Sequence, residues 1–132
     1  MENNSALFKI LLNLLAKGDF SALKADLTEM NVVDIAEFLE ELDKDAMIKV
    51  FRILPKDISA DVFSYLDPDY QEDIVVSITD AEVGKLIDDL FLDDVVDFLE
   101  EVPANVVTRV LRSASPEMRK MINTFLSYPE NS

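Results

Sequence analysis

The densest run of chemically capable side chains lies between Leu92 and Val102. Asp93, Asp94, Asp97, Glu100 and Glu101 all fall within it, and no Lys or Arg occurs from Leu86 to Thr108. At about 100° per residue, such a run puts Val95, Val96, Phe98, Leu99 and Val102 on one side of a helix. The five acids fall on the other. Asp93 with Asp97, and Asp97 with Glu101, then become like-charge neighbours at four-residue spacing, each pair costing about 0.2–0.5 kcal/mol. A solvated face, with Asp93 and Asp94 favoured by a helix N-terminus, accounts for the pattern without any ligand. A carboxylate surface that shares a divalent cation with other oxygens also accounts for it. Magnesium typically takes only one or two carboxylates and fills its remaining positions with water. Both readings stay open at this point.

Other chemistries are narrowed by composition. The chain has no His and no Cys, so a triad with a histidine base is excluded and an ordinary zinc site has no ligands. Gly18 and Gly84 are the only glycines, too few for a phosphate cradle. The segment Asp67-x-Asp69-x-Gln71 begins like a calcium loop. It lacks Gly at the sixth position and has Ile78 where the closing Glu belongs. Acid–base catalysis by a carboxylate pair would need desolvation that exposed helix faces do not supply, so no enzyme is expected. With 27 acidic against 12 basic residues the net charge is −15. That balance repels phosphate backbones and anionic lipid and concentrates cations. Neither nucleic acid nor direct membrane insertion is expected of this chain. The apolar run Ala6–Ala16, interrupted by Lys9 and Asn13, is too short to span a bilayer. An amphipathic first helix fits it better.

The elements that position these acids repeat. Leu42, Leu66 and Leu90 recur at a period of about 24 residues, within the range of solenoid arrays. The same register aligns Val50, Ile74, Phe98 and Ile122, and also Leu54, Ile78, Val102 and Leu126. Each unit holds two apolar-periodic stretches of roughly ten residues, near the mean for globular helices. Caps mark the joints. Thr79 with Glu82 is a capping box, and Asn31 with Asp34 is a weaker form. Asp67-Pro68 and Ser115-Pro116 place a cap before a proline at the first helical position. Pro55 and Pro103 stand where a ring without N–H can begin a helix but not continue one. Gly18 suits the end of the first helix.

Ten helices are predicted, near 5–16, 20–29, 32–42, 44–54, 57–66, 68–78, 80–90, 92–102, 104–114 and 116–126. No stretch alternates as a strand would. The fold class is all-α, a solenoid of short helices in helix-pair repeats, with 1–132 as one domain. Val50, Ile74, Phe98 and Leu126 should be buried in one continuous core. Met30, Met47, Met118 and Met121 sit at helical spacing beside Leu and Phe, as core packing requires.

These residues carry a family pattern. Asp34-Ile35-Ala36-Glu37-Phe38-Leu39-Glu40-Glu41-Leu42-Asp43, Phe51-Arg52-Ile53-Leu54-Pro55 and Tyr65-Leu66-Asp67-Pro68 resemble the N-terminal domain of MgtE-type magnesium transporters. So does the run Leu92 to Pro103. The ending Leu126-Ser127-Tyr128-Pro129-Glu130-Asn131-Ser132 is similar to the segment that leads into that family's next domain. The resemblance runs from Leu7 onward. It implies a right-handed superhelix at the cytoplasmic face of the membrane, followed by a CBS pair and a membrane pore in a homodimer. It implies a regulatory role in magnesium transport, in which Mg2+ shared weakly with the CBS domains favours pore closure. On the matching segments it makes Asp93 the first choice of ligand, Asp97 the second and Asp61 the third. The alternative is an armadillo-like module that binds proteins on a concave surface and has no metal role.

Overall fold

Five helices start one repeat period apart, at Phe20, Lys44, Pro68, Leu92 and Pro116, and four others start at the same interval from Val32. The computed structural model describes residues 2–127, and within them the chain is all-helical with no strand. The ten helices are α1 (Glu2–Lys17), α2 (Phe20–Thr28), α3 (Val32–Glu40), α4 (Lys44–Ile53), α5 (Lys56–Ser64), α6 (Pro68–Ser77), α7 (Asp80–Asp89), α8 (Leu92–Glu101), α9 (Ala104–Ser113) and α10 (Pro116–Ser127). The helix-pair register read from Leu42, Leu66 and Leu90 is therefore the register of the fold. The segment from Tyr128 to Ser132, part of the family resemblance, lies outside the described residues.

The joints form as their chemistry dictates. Thr79 and Glu82 make the reciprocal capping box, with Glu82 N–H donating to Thr79 Oγ1 at 3.1 Å and Thr79 N–H to Glu82 Oε1 at 2.8 Å. Asn31 accepts from Asp34 N–H at 2.9 Å, and Ser115 from Met118 N–H at 3.1 Å. Asp19 and Asp43 cap α2 and α4 in the same way. Gly18 adopts φ +75°, the left-handed turn that glycine enters without strain. Its N–H donates to Leu15 and that of Asp19 to Leu14, so two terminal carbonyls of α1 are satisfied.

The chain divides into two compact units between Tyr65 and Leu66. In the first, α1 packs on α2, and α3 packs on α4 and α5. Leu11, Leu23, Phe38, Val50 and Phe63 are buried there. Phe8 lies against Phe38 with ring centroids 5.3 Å apart, and Phe51 against Phe63 at 6.3 Å, both tilted. In the second unit α9 packs on α6, α7 and α10, and α8 on α6 and α10. Ile74, Ile87, Val95, Phe98, Val110 and Ile122 are buried there. Val50, Ile74 and Phe98 are thus interior as expected. Leu126 is only half-buried, one turn beyond the buried Ile122 on α10. Met47 and Met118 are core residues, but Met121 is 44% exposed. Its place on α10 is one quarter-turn off the Met118–Ile122 stripe.

Two contacts set the geometry of the second unit. Gly84 of α7 is buried, and a Cβ built on it would fall 2.4 Å from the Ser113 carbonyl oxygen of α9. No larger residue allows that approach unless the helices separate. Arg109 of α9 reaches back to the joint between α6 and α7. Its guanidinium donates to the carbonyls of Val75 and, at 2.6 Å, Ile78, and its Nη2 lies 3.0 Å from Asp80 Oδ1. One arginine thereby satisfies two carbonyls at the end of α6 and pairs with an acid in the first turn of α7. Arg119 likewise caps the end of α9, donating to the carbonyls of Leu111 and Ala114.

Two expectations follow. Phe98→Ala empties a site that is 2% exposed. It should lower the unfolding free energy by about 3–5 kcal/mol in urea titrations. Arg109→Ala leaves part-buried carbonyls unpaired and should cost about 1–3 kcal/mol. Asp80→Asn should cost less than about 1 kcal/mol, because the Asp80 side chain is 65% exposed and its pairing is screened. Equal losses from the two variants would show that the ion pair, rather than carbonyl capping, makes Arg109 important.

Candidate functional site: the acidic face of α8

α8 forms because its apolar positions recur at helical spacing. Val95, Phe98 and Leu99 turn inward, at 0, 2 and 4% exposure. That commitment forces the polar positions outward. Asp93, Asp97, Glu100 and Glu101 are exposed, and Asp94 is half-buried. The Phe91 carbonyl accepts from the N–H groups of Asp94 and Val95 at 3.0 and 3.1 Å, so the helix begins just before the acids. Asp93 and Asp94 stand in the first turn, where the helix dipole favours negative charge. Asp97 and Glu101 lie beyond that favourable turn.

Asp93 and Asp97 share one exposed face, one turn apart, where Cβ atoms are about 5–6 Å from each other. Asp61, the third predicted ligand, is exposed on α5 in the first unit. Its backbone carbonyl accepts from Ser64 Oγ at 2.7 Å. Among the described residues no group of three or more acids, His or Cys converges as a metal cluster. Two exposed carboxylates one turn apart fit part of the oxygen set of a hydrated hard dication, whose other ligands would be waters and a facing surface.

Two residues went unnoticed in the sequence. Phe91 is 74% exposed at the N-cap of α8, where Ser, Thr, Asp or Asn would be usual. Its replacement of a cap residue was the available signal. Arg109 is a lone basic residue inside the apolar stretch Val106–Leu111. Its partners are 29 to 34 residues away, so nothing local betrayed them.

A repeat of short helices that exposes a carboxylate face defines an all-α helical-repeat domain. Residues 30–131 match the family described as MgtE intracellular N domain. The chain belongs to that family. It is also similar to a structure described as "Crystal structure of the soluble part of a magnesium transporter", with TM-score 0.82 and 18% identity over 96% of this chain and 50% of that one. A second is described as "Crystal structure of the cytosolic domain of the Mg2+ channel MgtE in complex with ATP", with TM-score 0.78 and 28% identity over 91% of this chain and 50% of that one. The chain thus spans about half the length of the solved structures it matches. No curated protein matches it. Among the described residues no helix is long and apolar enough to cross a membrane.

Proposed function

We propose that this chain, taken over 1–132 as one domain, is the magnesium-sensing regulatory part of a magnesium transporter or channel, at the cytoplasmic face of the membrane. One observation carries the proposal: α8 keeps an exposed row of acids, Asp93, Asp97, Glu100 and Glu101, against its own helical stability. A structural helix would gain from a Lys at position 97. A surface that must take up a dication gains from having none.

The mechanism is electrostatic. The acidic face of α8 approaches a second acidic surface, for which the CBS pair of the same protein is the candidate. Without a cation the two repel. A hydrated Mg2+ between them is held by Asp93 and Asp97 and by oxygens of the facing surface, while Asp61 on α5 is a separate candidate ligand. Because the ion binds the docked arrangement better than the separated one, rising magnesium shifts the population toward docking. Docking favours pore closure. When magnesium falls, the domain is released and opening is favoured. Weak binding suits this task, since a sensor must release its ion within the physiological range. The role needs no catalysis, and water-exposed carboxylates serve a labile hydrated ion better than they serve proton transfer.

The isolated domain carries only half of such a site. Magnesium at a concentration near its dissociation constant should stabilise it by about 0.4 kcal/mol. That is a rise of roughly 1–2 °C in Tm for a chain of this size. The comparison must be made against sodium chloride at matched ionic strength, because general screening also relieves the charge. The increment should shrink in an Asp93→Ala, Asp97→Ala double variant. In the intact transporter the same variant should lose the protection from protease that high magnesium confers. Unchanged protection would show that these two carboxylates are not the ligands.

A further inference from the structure

One position combines a lost cap with an exposed ring. Asp19, Asp43, Asp67, Phe91 and Ser115 stand one repeat period apart, each at the residue before a helix. Asp19, Asp43 and Ser115 use their side chains as caps, accepting from the N–H groups of Ala22, Ala46 and Met118 at 3.3, 2.9 and 3.1 Å. Phe91 has no acceptor to offer, and its side chain makes no cap bond. The backbone gives no reason for the difference. Phe91 has φ −70° and ψ 147°, close to the −66° and 152° of Asp67, so a serine or an aspartate would fit there. The ring that takes the place of the cap is 74% exposed, more than any other large apolar side chain among the described residues. A lone surface phenylalanine is ordinary. One that displaces a cap and gains little packing in return lowers the stability of its own domain.

Resting on the magnesium-dependent docking proposed above, we infer that Phe91 is the apolar anchor of the docked arrangement, buried there by the surface that faces α8. Phe91 lies two residues before Asp93, so their Cα atoms are within about 7 Å of each other. A surface close enough to share an ion with Asp93 therefore reaches the ring. Carboxylates around a hydrated ion keep much of their water and bury little apolar area. Aromatic side chains are enriched where protein interfaces are fully buried, and the ring supplies what the acids lack. The two contributions differ in kind. Magnesium removes repulsion in proportion to its concentration, whereas ring burial acts at every magnesium concentration. Burying a phenylalanine side chain is worth about ten- to hundredfold in an association equilibrium. For one bridging ion, a tenfold loss of that contribution is offset only by about tenfold more magnesium. Phe91 thereby sets the concentration at which docking occurs. The missing cap is the stability that the separated domain gives up for a surface covered on docking.

Phe91→Ser tests the anchor with two readouts of opposite sign, because it restores a cap and removes the ring. In the isolated domain it should raise the melting temperature by roughly 2–5 °C, followed by circular dichroism. In the intact protein it should weaken docking, raising the magnesium midpoint for protection from protease about tenfold. Phe91→Leu restores no cap but stays apolar, and should keep that midpoint within about threefold of the wild type. Asp93→Ala, Asp97→Ala, measured in parallel, tests the metal ligands separately. Loss of protection in that double variant, with an unmoved midpoint in Phe91→Ser, keeps the ligands and overturns the anchor. Protection that ignores magnesium and both aspartates but falls in Phe91→Ser keeps the anchor and overturns the magnesium reading. The anchor also fails if wild type and Phe91→Ser coincide at every magnesium concentration, including none, or if Phe91→Leu shifts as far as Phe91→Ser. A lower melting temperature for Phe91→Ser overturns it too, since the ring would then belong to the packing of its own domain.

Discussion

A helix of nine or ten residues cannot hold itself together in water. Nucleation costs too much for so few hydrogen bonds, and isolated helices below about 12–15 residues are marginal even in Ala-rich sequences. Eight of the ten helices here are that short. Each must therefore bury a face against a neighbour and have its open ends satisfied within joints of two or three residues. Everything else in the structure follows from that constraint. Caps recur at the joints because there is no length to spare for fraying. Arg109 and Arg119 reach across to carbonyl ends because those joints are too tight for the chain to bend back on itself. Gly84 lets α7 and α9 approach at the Ser113 carbonyl.

The same constraint accounts for the acidic face. A short helix committed to burying Val95, Phe98 and Leu99 leaves its other positions in solvent. Those positions are free to vary at little cost in packing, so their composition can follow function. Along α4 they hold Lys49 and Arg52, and along α8 Asp97 and Glu100. One scaffold thereby presents two kinds of surface. Residues 30–131 belong to the MgtE intracellular N domain family, and a divalent cation as counterion for the second surface is the proposed reading.

Much of this was legible in the sequence because it is local. The recurrence of Leu42, Leu66 and Leu90 set the period at which the helices begin, and Thr79 with Glu82 is a capping box in both sequence and structure. Asp19 and Asp43 cap their helices too, yet neither is followed by a reciprocating Glu or Gln three residues on, so neither stood out. Met121 and Leu126 have core-type side chains at helical spacing. Met121 lies off the Met118–Ile122 stripe, which residue type alone does not reveal, and the cover over Leu126 depends on neighbours that periodicity does not encode. Arg109 was hidden for the same reason, since its partners are distant in sequence. The stripe of Asp93 and Asp97 was visible because one helix carries both, whereas Asp61 lies in the other unit and entered only through resemblance.

In the proposed role the carboxylates of α8 take up a divalent cation as a set and do more than keep a surface wet. Amide chemical shifts of the isotopically labelled chain, followed during magnesium titration at constant ionic strength, separate the two. A site predicts shifts concentrated on Asp93 to Glu101 that saturate with one dissociation constant. Shifts spread over every acidic helix, rising without saturation and no larger on α8 than on α3 or α7, would contradict it.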